Sequence, residues 1–170
     1  MRGTDRDTEF IEFATAQRTA LVRMARLLTA GDEALAEDLV QTTLTKLYVA
    51  WPRVRRAGNP VGYARTSLTH AFVDETRRGH RRHETPTDLV TERATSLEPN
   101  DLSHAVLAAL AGLAPRQRAV VVLRHWLDLD IAETARIMSC STGTVKSQNA
   151  KALDRLRTVL EPHITLEELR

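Results

Sequence analysis

An all-α chain, built as two small helical domains on a flexible linker with a helix-turn-helix in the second, is what the sequence predicts. Three observations lead there. The 170 residues hold only 7 Gly and 6 Pro and are rich in Ala, Leu, Arg and Glu, a composition that favours helix. Apolar residues recur at three- and four-residue spacing until about His80, vanish from that pattern to Ser103, and then resume. Between those points Pro86, Pro99, several Thr and a cluster of acidic residues have the composition of a linker. The expected division is a first domain over 1–83, a linker over 84–103, a second domain over 104–162 and a C-terminal tail over 163–170.

Phe10, Phe13, Leu21, Met24, Ala25 and Leu28 share one face of a first helix that Gly31 should end. Asp32 is a good N-cap for a second helix through Ala34, Leu35, Leu39, Val40, Leu44 and Leu47, with Pro52 as its expected stop. Asn59 capping Pro60 starts a third helix, with Tyr63, Leu68, Phe72 and Val73 apolar and Gly79 as its expected end. The second domain begins with a helix over 105–113, and Pro115 opens another containing Val120, Val121, Leu123 and Trp126. Residues 130–157 then read as a short helix, a tight turn and a longer basic helix. Asp130 with Glu133 forms a capping-box-like pair, Ser139 to Thr142 make the turn, and Ser141 can cap the second helix. No strand pattern or internal repeat is evident.

At 42% hydrophobic and 27% charged residues the chain is globular rather than disordered. No stretch approaches the roughly 18 apolar residues of a membrane span, and residues 1–15 lack a signal-peptide core, so a cytoplasmic protein without membrane insertion is expected. Cys140 is the only cysteine, which rules out an intrachain disulfide and makes a small packing residue in the turn the expected role. The net charge of +2 says little, but its distribution says more. Lys and Arg against Asp and Glu number 6 and 8 over residues 1–50, and 8 and 2 over 51–83. They number 1 and 5 over 84–104, and 9 and 7 over 105–170, so one basic block lies between two acidic ones. Such segregation suits a chain with one surface for phosphates and others for protein.

Winding residues 145–156 at about 100° per residue puts Val145, Ala152, Leu153 and Leu156 on a packing face and Ser147, Ala150, Lys151 and Asp154 opposite. A major groove admits such a helix, and Lys146, Ser147 and Lys151 have the reach and chemistry for bases and phosphates. Thr144 places a hydroxyl beside free backbone amides, where a phosphate is well received. A solvated amphipathic hairpin would share the periodicity; the ordered cap, turn and second helix favour the DNA reader.

Three stretches carry a wider resemblance: Ala36 to Leu44 (AEDLVQTTL), Asn59 to Arg78 (NPVGYARTSLTHAFVDETRR), and Leu113 to Trp126 (LAPRQRAVVVLRHW) running into the helix-turn-helix. In their order and motifs they resemble the extracytoplasmic-function sigma factors, the smallest class of bacterial RNA polymerase promoter-specificity subunits, over about residues 8–160, and in detail an actinobacterial branch of them. The resemblance implies a nonenzymatic subunit without cofactors. The partners it implies are core RNA polymerase, through the clamp helices of its largest subunit and the flap of its second-largest, promoter DNA, and for many relatives an anti-sigma protein.

By resemblance, Asp38, Gln41 and Thr42 form the docking face for the clamp helices, with Thr42 standing where the family usually has an acidic residue. Asn59, Tyr63, Arg65, Thr69, His70, Arg77 and Arg78 fall in the segment that melts the promoter and captures minus-ten bases, with Arg81 and Arg82 extending its basic groove. Opening duplex costs about 1–2 kcal/mol per base-pair step, which a protein without ATP chemistry recovers by binding single strand on aromatic platforms and basic grooves. His70 stands where the family often has Asn and offers different donors and acceptors. Minus-thirty-five recognition falls on Lys146, Ser147, Gln148, Ala150 and Lys151, with Thr144 and Arg124 nearer the DNA backbone. Gln148 replaces a frequent Arg. Asn149 lies at the edge of the packing face, where it can bond the turn, face a base or destabilise the domain.

Two other readings compete. A stand-alone dimeric helix-turn-helix regulator explains residues 105–160 but leaves the first domain without a task. A metalloenzyme would have to use His80, His83 and Asp88, which lie in linker-like sequence without a further ligand set.

Overall fold

A computed structural model describes residues 3–82 and 101–161. Every element among them is helical: α1 (Gly3–Leu28), α2 (Glu33–Arg56), α3 (Pro60–Arg82), α4 (Asp101–Ala111), α5 (Pro115–Val121), a π-helical turn (Val122–Trp126), α6 (Ile131–Met138) and α7 (Thr142–Leu160). Packing divides the chain into Met1–Glu75 and Thr76–Arg170, with the boundary inside α3. His83 and Asp88, and nearly all of the expected linker, lie outside the described residues.

In the first unit α1 and α2 form an antiparallel pair. Leu21, Met24, Ala25 and Leu28 of α1 and Ala36, Leu39, Val40, Leu47, Trp51 and Val54 of α2 are buried, each set at helical spacing. Ala64, Leu68, Ala71 and Phe72 form the buried stripe of α3. The turn after α1 uses two left-handed residues, Ala30 at φ 51° and Gly31 at φ 91°. Gly31 N–H reaches back to Arg26 O at 2.8 Å, closing the helix end in a Schellman-like loop. Asp32 then caps α2 by accepting from Leu35 N–H at 3.0 Å.

Pro52 does not stop α2, which runs on to Arg56. A proline within a helix leaves the carbonyl four residues earlier without its N–H partner. Here that carbonyl is Tyr48 O, and the Arg6 guanidinium of α1 donates to it at 2.7 Å while lying 4.8 Å from the centre of the Tyr48 ring. The Tyr48 hydroxyl in turn donates to Asp7 at 2.8 Å, Phe10 meets Tyr48 and Trp51 edge-on, and Arg55 pairs with Glu9 at 2.9 Å. The start of α1 thus supplies the donor and the packing that let α2 continue. Gly79 does not end α3 either: it lies inside the helix with open space where a Cβ would stand, and a single helical glycine costs only about 1 kcal/mol.

In the second unit α7 packs against α4, α5 and α6. Ala109, Ala119, Val120, Val122, Leu123, Val145 and Ala152 are the least exposed of its apolar residues. Arg118 on α5 donates to Leu110 O at 2.8 Å and Leu113 O at 3.2 Å, satisfying carbonyls at the end of α4. Burial lowers its pKa from the usual arginine value. The expected uninterrupted helix from Pro115 instead widens at Val122, where Leu127 N–H bonds Val122 O at 3.0 Å, a five-residue step. The wider turn keeps Val122 and Leu123 buried while turning His125 and Trp126 outward.

Candidate nucleic-acid interface

The helix-turn-helix is assembled by local caps. Asp130 accepts from Glu133 N–H at 2.7 Å and starts α6; the Glu133 carboxylate, instead of closing a capping box, pairs with Arg136 at 3.5 Å. Ser139 takes a left-handed φ of 50°, and Cys140 N–H returns to Ala135 O at 3.0 Å, ending α6. Ser141 Oγ accepts from Thr144 N–H at 3.1 Å and opens α7. Cys140 is only half-buried in this turn.

Val145 and Ala152 anchor α7 with no exposed surface. Fixing that face inward leaves Thr144, Lys146, Ser147, Ala150 and Lys151 exposed on the rest of the helix's first three turns. Gln148 is half-buried at the flank. The Thr144 hydroxyl lies 2.9 Å from Ser141 Oγ, so it is oriented by the cap while one lone pair or its proton remains for an outside group. Arg124 differs from its expected role beside the DNA backbone: its guanidinium donates to Leu129 O, and its Nε is buried. It pins the strained link in which Asp128 adopts φ 53°, so its first task is structural.

At the start of α3, Asn59 is exposed and its side-chain oxygen accepts from Gly62 N–H at 2.9 Å, capping the helix. A Cβ on Gly62 would fall 2.4 Å from Asn59 Nδ2, so a larger residue there would make the Asn59 side chain shift. Tyr63, His70 and Arg77 repeat every seven residues and line one stripe, which Arg81 continues. Tyr63 is half-buried and the other three are exposed; Asp74 interrupts the stripe with a negative charge. Arg78 is exposed and Arg65 half-buried to the sides of that stripe. Arg82 ends α3. Thr69 must be withdrawn from the contacting set. It has no exposed surface, and its hydroxyl donates to Arg65 O at 2.9 Å, as a helical threonine does when turned inward.

Asp38, Gln41 and Thr42 are all exposed on α2, opposite the buried Ala36, Leu39, Val40 and Thr43. Neighbouring Glu37 is taken up by Arg18 at 2.8 Å, leaving Asp38 as the acidic group of this face.

These two constructions coincide with two family regions found in one chain. Residues 14–82 match Sigma-70 region 2, and residues 103–156 match Sigma-70, region 4. The RNA polymerase sigma-E factor of Streptomyces avermitilis is 37% identical over 157 residues, covering 90% of this chain and 86% of that protein. The chain belongs to the extracytoplasmic-function sigma factors. The corresponding sigma-E factor of Streptomyces coelicolor is 36% identical over 156 residues, covering 89% of this chain and 86% of its own length, in keeping with an actinobacterial type. Among solved structures, the sigma factor RpoE in complex with the anti-sigma factor NepR from Bartonella quintana has a TM-score of 0.71 at 25% identity, covering 90% of this chain and 97% of that one. The sigma factor is an RNA polymerase subunit for promoter recognition, and the stand-alone regulator is not favoured, because that reading gives region 2 no role. No described helix is long and apolar enough to cross a membrane.

Two participants escaped the sequence reading. Arg6 shapes α2 from 42 residues away, and His125 bonds Asn149 across 24 residues. Only the lone Pro52 and the polar Asn149 on a packing edge signalled that a partner was needed.

Proposed function

We propose that two domains of this sigma factor divide promoter recognition. Residues 1–83 dock on the clamp helices of core polymerase through Asp38, Gln41 and Thr42. They melt and hold the minus-ten strand along α3, with Asn59, Tyr63, His70, Arg77 and Arg78 facing it and Arg65 at its flank. Residues 104–162 enter the minus-thirty-five major groove with α7, and the same unit meets the polymerase flap. Residues 84–103 connect them, 163–170 form the tail, and an anti-sigma protein is a natural partner given the complex that the similar RpoE forms with NepR. The work is done in the cytoplasm by binding alone, without a catalytic centre.

The observation that carries this reading is the free face of α7. Lys146, Ser147, Ala150 and Lys151 stand exposed behind a helix locked by Val145 and Ala152, the geometry a groove-reading helix needs. Lys151→Ala should lower holoenzyme affinity for its promoter about tenfold, the equivalent of one good base or phosphate contact, with core association unchanged. Equal loss in promoter and core binding would overturn the assignment of α7.

A further inference from the structure

Asn149 is polar on a helix edge where packing would ordinarily be apolar, and the structure shows what it meets. His125, on the π-helical turn, approaches Asn149 with Nε2 at 2.9 Å from Oδ1. A carboxamide oxygen only accepts, so Nε2–H is the donor. The bond commits the oxygen of the amide and fixes its plane, leaving both Nδ2 protons without a partner among the described residues. Asn149 is half-buried on the flank of α7, one turn beyond the exposed Lys146 on the same side. When a helix lies in a major groove, its central side chains meet base edges and its flanks meet the phosphate walls.

We propose that Asn149 is a DNA-contacting residue whose amide donates to a backbone phosphate beside Lys146, and that His125 is the positioning residue that turns the amide for this contact. The proposal rests on α7 being the groove-reading helix. His125 lies on the π-helical turn, exposed and within hydrogen-bond reach of α7. The pair replaces an apolar contact between the two helices by a directed hydrogen bond, which holds the flank of α7 and orients one neutral donor at once.

The test uses holoenzyme and an upstream promoter duplex selected by the wild-type holoenzyme from a randomised pool, with thermal unfolding of the free chain measured in parallel. Asn149→Asp keeps the acceptor for His125 but replaces the outward NH2 by a carboxylate oxygen. It should leave the unfolding temperature at or above the wild-type value while lowering affinity at least tenfold, to the same degree on duplexes altered at any single base pair of the element. Asn149→Leu, which fills the edge but cannot donate, should lose about fivefold. His125→Ala should lose somewhat less, with no further loss when added to Asn149→Leu, and His125→Gln, which restores a donor of similar reach, should recover most of the affinity. Wild-type affinity for Asn149→Asp, or additive losses for His125→Ala and Asn149→Leu, would overturn the proposal. Loss confined to one base pair would overturn the phosphate as the target. Lys151→Ala is the reference: if it weakens binding and Asn149→Asp does not, this pair alone is refuted, and if neither weakens binding, the reading of α7 falls with it.

Discussion

Pro52 should break α2, and Arg6 prevents it. The guanidinium occupies the one carbonyl the proline orphans and rests on the ring of the same residue, so a single side chain contributes a hydrogen bond and a cation–π contact. Arg6→Ala should destabilise the sigma factor by about 1–2 kcal/mol in urea unfolding. In a Pro52→Ala background, where residue 52 recovers its own N–H, the cost of losing Arg6 should shrink; an unchanged cost would show that the donor to Tyr48 O is not what Arg6 supplies. The Tyr48 phenol is pushed above its usual pKa, first because its hydroxyl donates to Asp7 and then because a phenolate would face that carboxylate. A raised folded value means that the contribution is complete below the unfolded phenol's pKa of about 10 and is lost as pH rises through the folded value. Tyr48→Phe should therefore be less stable than the wild type at pH 7 to 9, with the gap closing in more alkaline solution.

At the scale of elements, what the sequence disclosed and what it concealed separate by distance along the chain. Asp32, Asn59, Asp130 and Ser141 cap helices within three residues of themselves, and all four were legible from residue type and spacing. The continuation of α2 past Pro52 was not, because its cause sits on another helix. Nor was the π-helical turn, which depends on how Val122 and Leu123 pack rather than on any local signature. Thr69 departs from expectation for the opposite reason: its type suits a nucleic-acid contact, but it neighbours Leu68 on the inward side of α3. Arg118 shows the same long reach between α5 and the end of α4. Arg118→Lys keeps the charge but not the fork that reaches several carbonyls, and should cost about 1–2 kcal/mol in unfolding with the exposed residues of α7 untouched.

For the whole molecule, the charge map and the surfaces agree. The basic run over 51–83 ends on the stripe of α3, whereas Asp38 stands on a face of α2 whose nearest acid is already paired. Asp38→Ala should weaken core association several-fold, measured by competition for polymerase, while the complex that does assemble binds promoter DNA as the wild type does. Normal assembly of that variant would remove α2 as the docking face. Raising salt should lower promoter affinity more steeply than core affinity, since phosphate contacts release counterions and Lys146 and Lys151 stand exposed on α7.

Ala30, Asp128 and Ser139 all hold the left-handed backbone that glycine adopts without penalty. Each therefore marks unused conformational ease at a joint between helices, away from the exposed face of α7. If α7 reads the promoter as proposed, a lineage that changes its preference substitutes exposed residues such as Ser147 or Ala150, and substitutions commonly erode folding. The three joints give evolution somewhere to recover that loss: a glycine at one of them can act as a general suppressor, leaving the reading face free to drift toward new DNA sequences.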